Sequence, residues 1–170
     1  MAADAEAIAG VHVRSWQVGY RGQLPDDLLE ALDPADRVPR WAATLAATSW
    51  PDHGTLVIEG AWILGFAHLR PSRDADQDPD TTGEIASFYV DPASWGQGRG
   101  RRLMTAAVAE LADRYRTGTL WVLETNARAR TFYEATGWTP DDGVRDDRMA
   151  GVEIRDLRYR RDLHAPARGR

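Results

Sequence analysis

Apolar residues recur at helical spacing through the first third of the chain. Ile8, Val11 and Trp16 fall on one face of a helix, and Asp4 is placed to cap its start. Farther along, Pro34 suits the first turn of another helix. The pattern predicts three helices, over residues 5–20, 26–32 and 34–48.

Continuous or alternating apolar runs predict strands in the remainder of the chain. The first two runs flank Glu59-Gly60, a composition typical of a tight hairpin, so these two strands should be antiparallel. A helical pattern separates the third run from the fourth, and such a crossover makes the two strands parallel. The predicted strands cover 55–59, 61–69, 84–90, 119–123, a segment from Trp138, and a last segment with a bulge from Val152 to Leu163; helices are predicted over 99–117 and from Asn126 to Gly137.

These elements predict an α/β fold in which helices flank a mixed, mostly antiparallel central sheet with one parallel central strand pair. The length of 170 residues, 43% of them hydrophobic, fits a single domain over residues 1–170, with a polar tail at 164–170. The loop from Arg70 to Gly83 carries several aspartates and is predicted to be a solvated, mobile excursion.

Composition removes several functions from consideration. The chain has no cysteine, which excludes disulfides and thiolate nucleophiles, and its four histidines are too dispersed to predict a metal site. A net charge of −5, with acids and arginines interleaved, argues against nucleic-acid binding. Neither a signal-peptide pattern nor an apolar run of membrane-span length is present in the sequence, so we expect a cytoplasmic protein without a membrane partner.

A glycine-rich loop joins the third predicted strand to the helix at 99–117. After Asp91-Pro92 the chain runs Trp95-Gly96-Gln97-Gly98-Arg99-Gly100-Arg101. Alternate glycines expose successive backbone N–H groups, and the helix start adds the positive end of its dipole, so this segment predicts an anion cradle. A Walker-type loop is excluded because the chain contains no lysine. A dinucleotide fold, with Glu124 as its ribose-binding acid, and a plain surface turn are the alternatives.

Two motifs together resemble those of the GNAT superfamily of N-acetyltransferases. Gly98 and Gly100 match its acetyl-CoA signature (Gln or Arg, two residues, Gly, one residue, Gly or Ala), although Trp95 stands where Gln or Arg is usual. The segment from Asn126 to Trp138, with an aromatic-Tyr pair followed by Gly, is similar to the second conserved block of the family. The resemblance covers roughly residues 5 to 163. Family members usually carry a strand before the first helix, so we expect a sheet that begins one strand short.

The resemblance implies that an acetyl group moves from acetyl-CoA to a primary amine by direct transfer in a ternary complex. It implies that the pyrophosphate lies against the amides of the glycine loop and that Asn126 holds the pantetheine arm. A backbone N–H in the splayed central strand would polarise the thioester, with Ser87 assisting. The residues expected to bind acetyl-CoA are Phe88, Tyr89, Val90, Gly96, Gln97, Gly98, Arg99, Gly100, Arg101 and Asn126.

Two side chains are the expected catalytic groups. By position, Glu84 matches the glutamate that some branches of the family use as general base; other branches place the base where this chain has Trp121, and Glu124 is the reserve. Tyr133 lies two helical turns after Asn126 and is the expected general acid, for which an ordinary phenol with a pKa of about 10 suffices. The structural alternatives are an exposed strand-end carboxylate and a core tyrosine.

The resemblance places the acceptor cleft against the amino-terminal helices. Trp16, Tyr20 and Trp41 are candidates to line it, although aromatic residues at helical spacing are more often core. The expected partner is a small-molecule or peptide amine, with no metal, and a homodimer is left open. A catalytically silent acetyl-CoA sensor and a dinucleotide-dependent oxidoreductase are the alternative functions, and Tyr133 favours an enzyme.

Overall fold

A computed structural model describes residues 2–149 and 151–165. Along the chain, three helices precede the first strand, and the fourth and fifth helices connect strands of the sheet. The elements are α1 (Ala2–Gly19), α2 (Asp26–Glu30), α3 (Pro34–Ala46), β1 (Gly54–Glu59), β2 (Ile63–Pro71), β3 (Thr82–Val90), α4 (Arg99–Arg114), β4 (Thr117–Leu123), α5 (Ala127–Ala135), β5 (Thr139–Met149) and β6 (Val152–Asp162).

The six strands form one sheet in the order β1-β2-β3-β4-β6-β5. Only the central pair, β3 and β4, is parallel; the other neighbours pair antiparallel, which confirms the predicted mixed sheet. Within the described residues, no strand precedes α1. Part of the predicted polar tail, residues 166–170, lies outside the described residues.

The two central strands separate partway along their length. Their pairing runs from Thr82 opposite Thr117 to Ile85 opposite Leu120, and then stops while β3 continues to Val90. The far end of β3 is held by α1 instead, because the Ser15 hydroxyl donates to the Val90 carbonyl over 3.1 Å. This separation opens the sheet at its centre.

Apolar stripes on the helices cover the two faces of the sheet. On α4 the buried residues form one stripe at helical spacing and pack on one face of the sheet: Leu103, Met104, Ala107 and Leu111. On the other face a second core joins α1, α3 and β2. The sheet is therefore covered on both sides, as an α/β architecture requires.

Several predicted details are wrong. Helix α1 begins at Ala2, so Asp4 lies in its first turn and is not its cap. Helix α4 ends at Arg114, earlier than predicted, and Gly118 belongs to β4, where it packs against the Trp138 ring. The bulge lies in β5, where the register shifts between Pro140 and Val144, and not in the last strand.

The acidic loop is largely exposed, as predicted, but it is also tied to the body of the protein through Asp74 and Asp76. The buried guanidinium of Arg158 pairs with Asp76 at 2.7 Å and with Asp74 at 3.2 Å, and it also holds Asp141 at 3.0 Å. Asp74 additionally accepts a hydrogen bond from the Trp121 indole over 3.2 Å. The loop thereby fixes Trp121 from the outside.

Candidate active site

The glycine loop has the backbone conformation that only glycine adopts easily. Gly96 and Gly98 have φ angles of +74° and +75°, and a Cβ added at either would meet nothing within 4 Å among the described residues. Backbone conformation rather than crowding therefore requires glycine at both positions. Gly98 immediately precedes α4, so the loop delivers its N–H groups to the start of a helix.

The first turn of α4 is unusually basic. It contains Arg99, Arg101 and Arg102 and no acidic residue, although negative charge is what stabilises a helix start. The Arg99 guanidinium donates to the Ser94 hydroxyl over 2.6 Å, and the Gln97 amide donates to the Ala93 carbonyl over 3.0 Å. Those two side chains brace the loop, whereas Arg101 lines the adjacent cavity. An anion bound here would relieve the excess of positive charge.

A cavity of about 470 Å³ occupies the opening between the separated strands. It brings together most of the residues that the sequence assigns to acetyl-CoA binding. From that set the cavity is lined by Phe88, Tyr89, Val90, Gly96, Gly98, Gly100, Arg101 and Asn126, and Tyr133 and Ser87 also line it.

Asn126 and Tyr133 stand at the two ends of α5. The Asn126 side-chain oxygen accepts the Ala129 N–H over 3.1 Å, which caps the helix and leaves the amide NH₂ as its donor group. Tyr133 is only 8% exposed. Burial, and then the neighbouring Tyr89, raise the pKa of Tyr133 well above that of an ordinary phenol. Tyr133 is therefore a weaker acid than the ordinary phenol considered from the sequence, and it stays protonated through neutral and mildly alkaline pH.

A second cavity of about 250 Å³ adjoins the first. The two share Tyr20, Ile85, Ala86, Tyr89 and Trp121. Glu84 lines the second cavity, is 6% exposed, and is held by the Arg70 guanidinium through contacts of 3.1 and 3.2 Å. The carboxylate that the sequence singles out thus faces a cavity and is also paired with a cation.

The three aromatic candidates for the acceptor cleft have different surroundings. Trp16 and Tyr20 line the second cavity, and the Trp16 indole donates to the Tyr89 hydroxyl over 3.0 Å. Trp41 lies in the core, 4% exposed, and its indole donates to Nδ1 of His12 over 3.2 Å. Because Trp41 packs beneath α1 rather than on a cavity wall, its assignment to the cleft is wrong.

Glu124, the reserve base, is exposed, and its carbonyl accepts a hydrogen bond from Arg130 over 3.0 Å. It follows β4 on the outside of both cavities. The sequence analysis missed the ion pair of Arg145 with Asp156, at 3.0 Å, which closes the far side of the second cavity. The period-two pattern of β5 and β6 gives no signal that would have marked this pair.

Comparison with known proteins identifies the class. A sequence profile described as the Acetyltransferase (GNAT) family matches residues 16–138. This chain belongs to that family and is an acyltransferase, so the oxidoreductase alternative is wrong. The chain is 28% identical over 158 residues to YuaI, an uncharacterised N-acetyltransferase of Bacillus subtilis, and the alignment covers 91% of this chain and 85% of YuaI.

Two further relatives extend the comparison. A mycothiol acetyltransferase of Geodermatophilus obscurus is 33% identical over 85 residues, which is 49% of this chain and 28% of that protein. The structure of YncA from Salmonella typhimurium, solved with its cofactor acetyl-CoA, matches 100% of this chain and 94% of its own with a TM-score of 0.69. At 20% identity this likeness shows a common fold. No helix in the described part of the chain is long and apolar enough to cross a membrane.

Proposed function

We propose that this protein transfers an acetyl group from acetyl-CoA to a primary amine by direct transfer in a ternary complex. The observation that carries the proposal is the junction of the two cavities at Ala86, Tyr89 and Trp121, where the central strands separate. In this arrangement acetyl-CoA occupies the larger cavity with its pyrophosphate on the glycine loop, and the amine enters from the smaller one. Their reacting atoms then meet at the junction.

Glu84 is the proposed general base. An alkyl ammonium has a pKa of about 10.4, so at neutral pH it must lose a proton before its nitrogen can attack. The Glu84 carboxylate is the acid on the β3 wall of the smaller cavity, and Arg70 fixes its orientation through two contacts. It takes the proton directly or through a water molecule.

The larger cavity supplies the groups that complete the transfer. A backbone N–H from Phe88 to Val90 polarises the thioester carbonyl, because these residues lie beyond the last β3–β4 pair. As the new N–C bond forms and the C–S bond breaks, Tyr133 acts as the general acid: its hydroxyl donates a hydrogen bond to the departing sulfur, and the thiolate takes up a proton from it or from solvent. Because burial raises the pKa of Tyr133, full transfer of its own proton costs more than transfer from an ordinary phenol, so the hydrogen bond to the developing charge is the main contribution.

The acceptor is proposed to be a small molecule. The smaller cavity measures about 250 Å³ and is covered by Met149, Ile154 and the Arg145–Asp156 pair, all from the β5–β6 hairpin. That the relative from Geodermatophilus obscurus is named a mycothiol acetyltransferase is consistent with a small-molecule acceptor. A peptide amine is the alternative, provided that only its terminal residue enters.

A thiol-release assay with acetyl-CoA and a panel of amines tests this proposal. The panel includes amino acids, aminosugars, polyamines and short peptides. We expect release of free CoA with at least one small amine, and none without an amine. Binding of acetyl-CoA without turnover on any amine would favour the silent sensor, and absence of acetyl-CoA binding would contradict the proposal as a whole.

A further inference from the structure

Trp95 and Arg128 form a stacked pair on the wall of the larger cavity. The Arg128 guanidinium carbon lies 3.4 Å from the centre of the Trp95 ring, which is face-to-face contact, and both residues line the cavity. Trp95 immediately precedes the glycine loop, and Arg128 lies in the first turn of α5. The pair therefore bridges the two segments that border the proposed phosphate site.

The side chain of Trp95 has no donor left for a ligand. An indole carries one N–H and no acceptor, and that N–H donates to the Val90 carbonyl over 2.7 Å. Where the family signature has a Gln or Arg, this chain thus has a flat ring fixed to the end of β3. Any polar contact to a ligand at this point must come from another side chain.

Arg128 is suited to that task. Among the described residues its guanidinium makes no ion pair and no hydrogen bond, and it lies against the face of Trp95. By contrast, both arginines that line the smaller cavity are committed to carboxylates, Arg70 to Glu84 and Arg145 to Asp156. Stacking fixes the plane of the guanidinium while leaving its five N–H donors at the edge, free for an anion.

We infer that Arg128, oriented by Trp95, binds a phosphate group of acetyl-CoA and supplies the contact that the substituted signature position lacks. The inference rests on the proposed function, because acetyl-CoA must occupy the larger cavity. Arg128 contacts the ligand, whereas Trp95 is a positioning residue. The phosphate is either part of the pyrophosphate beside Gly96 or the 3′-phosphate of the adenosine end.

The test compares CoA, dephospho-CoA and S-acetylpantetheine with wild-type protein and Arg128→Gln. We expect Arg128→Gln to bind CoA about tenfold to a hundredfold more weakly by calorimetry, since a charge-assisted hydrogen bond is lost. The salt dependence of CoA binding should be shallower in the variant. Turnover of S-acetylpantetheine, which carries no phosphate, should be unchanged. Arg40→Gln, which removes an exposed arginine on α3, is the matched control and should bind CoA as wild type does.

The two phosphate sources separate in the same experiment. An equal loss for CoA and dephospho-CoA assigns Arg128 to the pyrophosphate, and a loss confined to CoA assigns it to the 3′-phosphate. Trp95→Leu should weaken CoA binding in the wild-type background and add little in Arg128→Gln, as expected if Trp95 acts through the guanidinium.

Three results would overturn the inference. These are unchanged CoA affinity in Arg128→Gln, an equal loss with S-acetylpantetheine, and a Trp95→Leu effect that is fully additive to that of Arg128→Gln. Failure of the wild-type protein to bind acetyl-CoA would overturn the proposed function as well, so the two failures are distinguishable.

Discussion

At the scale of single residues, the Tyr133 hydroxyl can be removed without disturbing the packing of its ring, so the loss of this group tests the chemistry. Its ring packs against Phe88 and Phe132, with ring centres 6.4 and 5.6 Å away, and phenylalanine preserves that packing. We predict that Tyr133→Phe lowers turnover about 10²-fold and leaves acetyl-CoA affinity nearly unchanged. Steady-state kinetics and calorimetry on the same preparation measure both. Full activity would mean that Tyr133 is only a core residue and that solvent protonates the departing thiolate.

Glu84 calls for a different readout, because its ion pair gives it a structural role as well. We predict that Glu84→Gln lowers kcat/KM most near pH 7 and least near pH 10, where roughly a quarter of the acceptor amine is already deprotonated. The raised pKa of Tyr133 keeps that residue protonated over this range, so it does not distort the profile. A deficit of the same size at every pH would show that the carboxylate only anchors Arg70.

Arg70→Gln is the control for that experiment. It removes the cation from the 3.1 Å ion pair and keeps the carboxylate. If Glu84 is the base, Arg70→Gln changes the overall rate without a deficit that shrinks toward pH 10 as it does in Glu84→Gln. A profile that matches Glu84→Gln would mean that the ion pair, and not the base, determines the rate.

At the scale of elements, the effect of the glycine loop on acetyl-CoA binding can be separated from the general effect of replacing a glycine that has a positive φ. Gly98 and Gly151 have φ angles of +75° and +84°, and at both a Cβ meets open space among the described residues. Alanine at either position therefore costs a similar backbone strain of about 1 kcal/mol. We predict that Gly98→Ala weakens acetyl-CoA binding about tenfold or more, while Gly151→Ala, in the β5–β6 turn, leaves it unchanged. Equal affinities in the two variants would remove the loop from the binding site.

Also at the scale of elements, the sequence predicts the order and type of the helices and strands more reliably than their ends. The 3.6-residue stripe of α4 and the buried run of β4 are strong local signals. The sequence prediction placed the end of α4 just before Gly118, because a glycine after a helical pattern usually marks a cap. Here the close approach of the Trp138 ring explains why this residue is a glycine. Local sequence does not indicate which distant segments pack together, so the contact between Gly118 and Trp138 could not be predicted.

At the scale of the whole molecule, the parts of the candidate site that come from continuous motifs could be predicted from the sequence, and the parts assembled from distant segments could not. Residues in continuous motifs, such as the glycine loop and Asn126 with Tyr133, were assigned from sequence and lie on one cavity. The walls of the second cavity come from α1, from β2, β3 and β4 and from the β5–β6 hairpin, so Arg145 and Asp156 carry no shared sequence signal. Trp41 shows the opposite error, because helical spacing alone does not distinguish a core aromatic from a cleft aromatic.

The stability of the whole molecule is predicted to depend on pH through His12. Burial, and then Arg37 and Arg40, lower the pKa of His12 to about 3, against an ordinary value of 6.5. Since the unfolded chain binds this proton more readily than the folded one, the stability contributed by neutral His12 is complete above about pH 7 and is lost as the pH falls from 6.5 toward 3. This linkage lowers the free energy of unfolding by about 2 kcal/mol between pH 7 and pH 5. His68, whose pKa burial lowers to about 4, acts in the same direction.

Urea unfolding at pH 7 and pH 5 measures this loss. His12→Phe fits an aromatic cluster with Trp16, Trp41, Phe66 and Tyr89, although it leaves the Trp41 indole without its acceptor. It should therefore be less stable than wild type at pH 7 but lose about 2 kcal/mol less on acidification. Phe66→Leu, a destabilising change in the same cluster without a titratable group, should keep the full wild-type loss. If His12→Phe and Phe66→Leu lose the same stability between the two pH values, the acid sensitivity of the fold has another source.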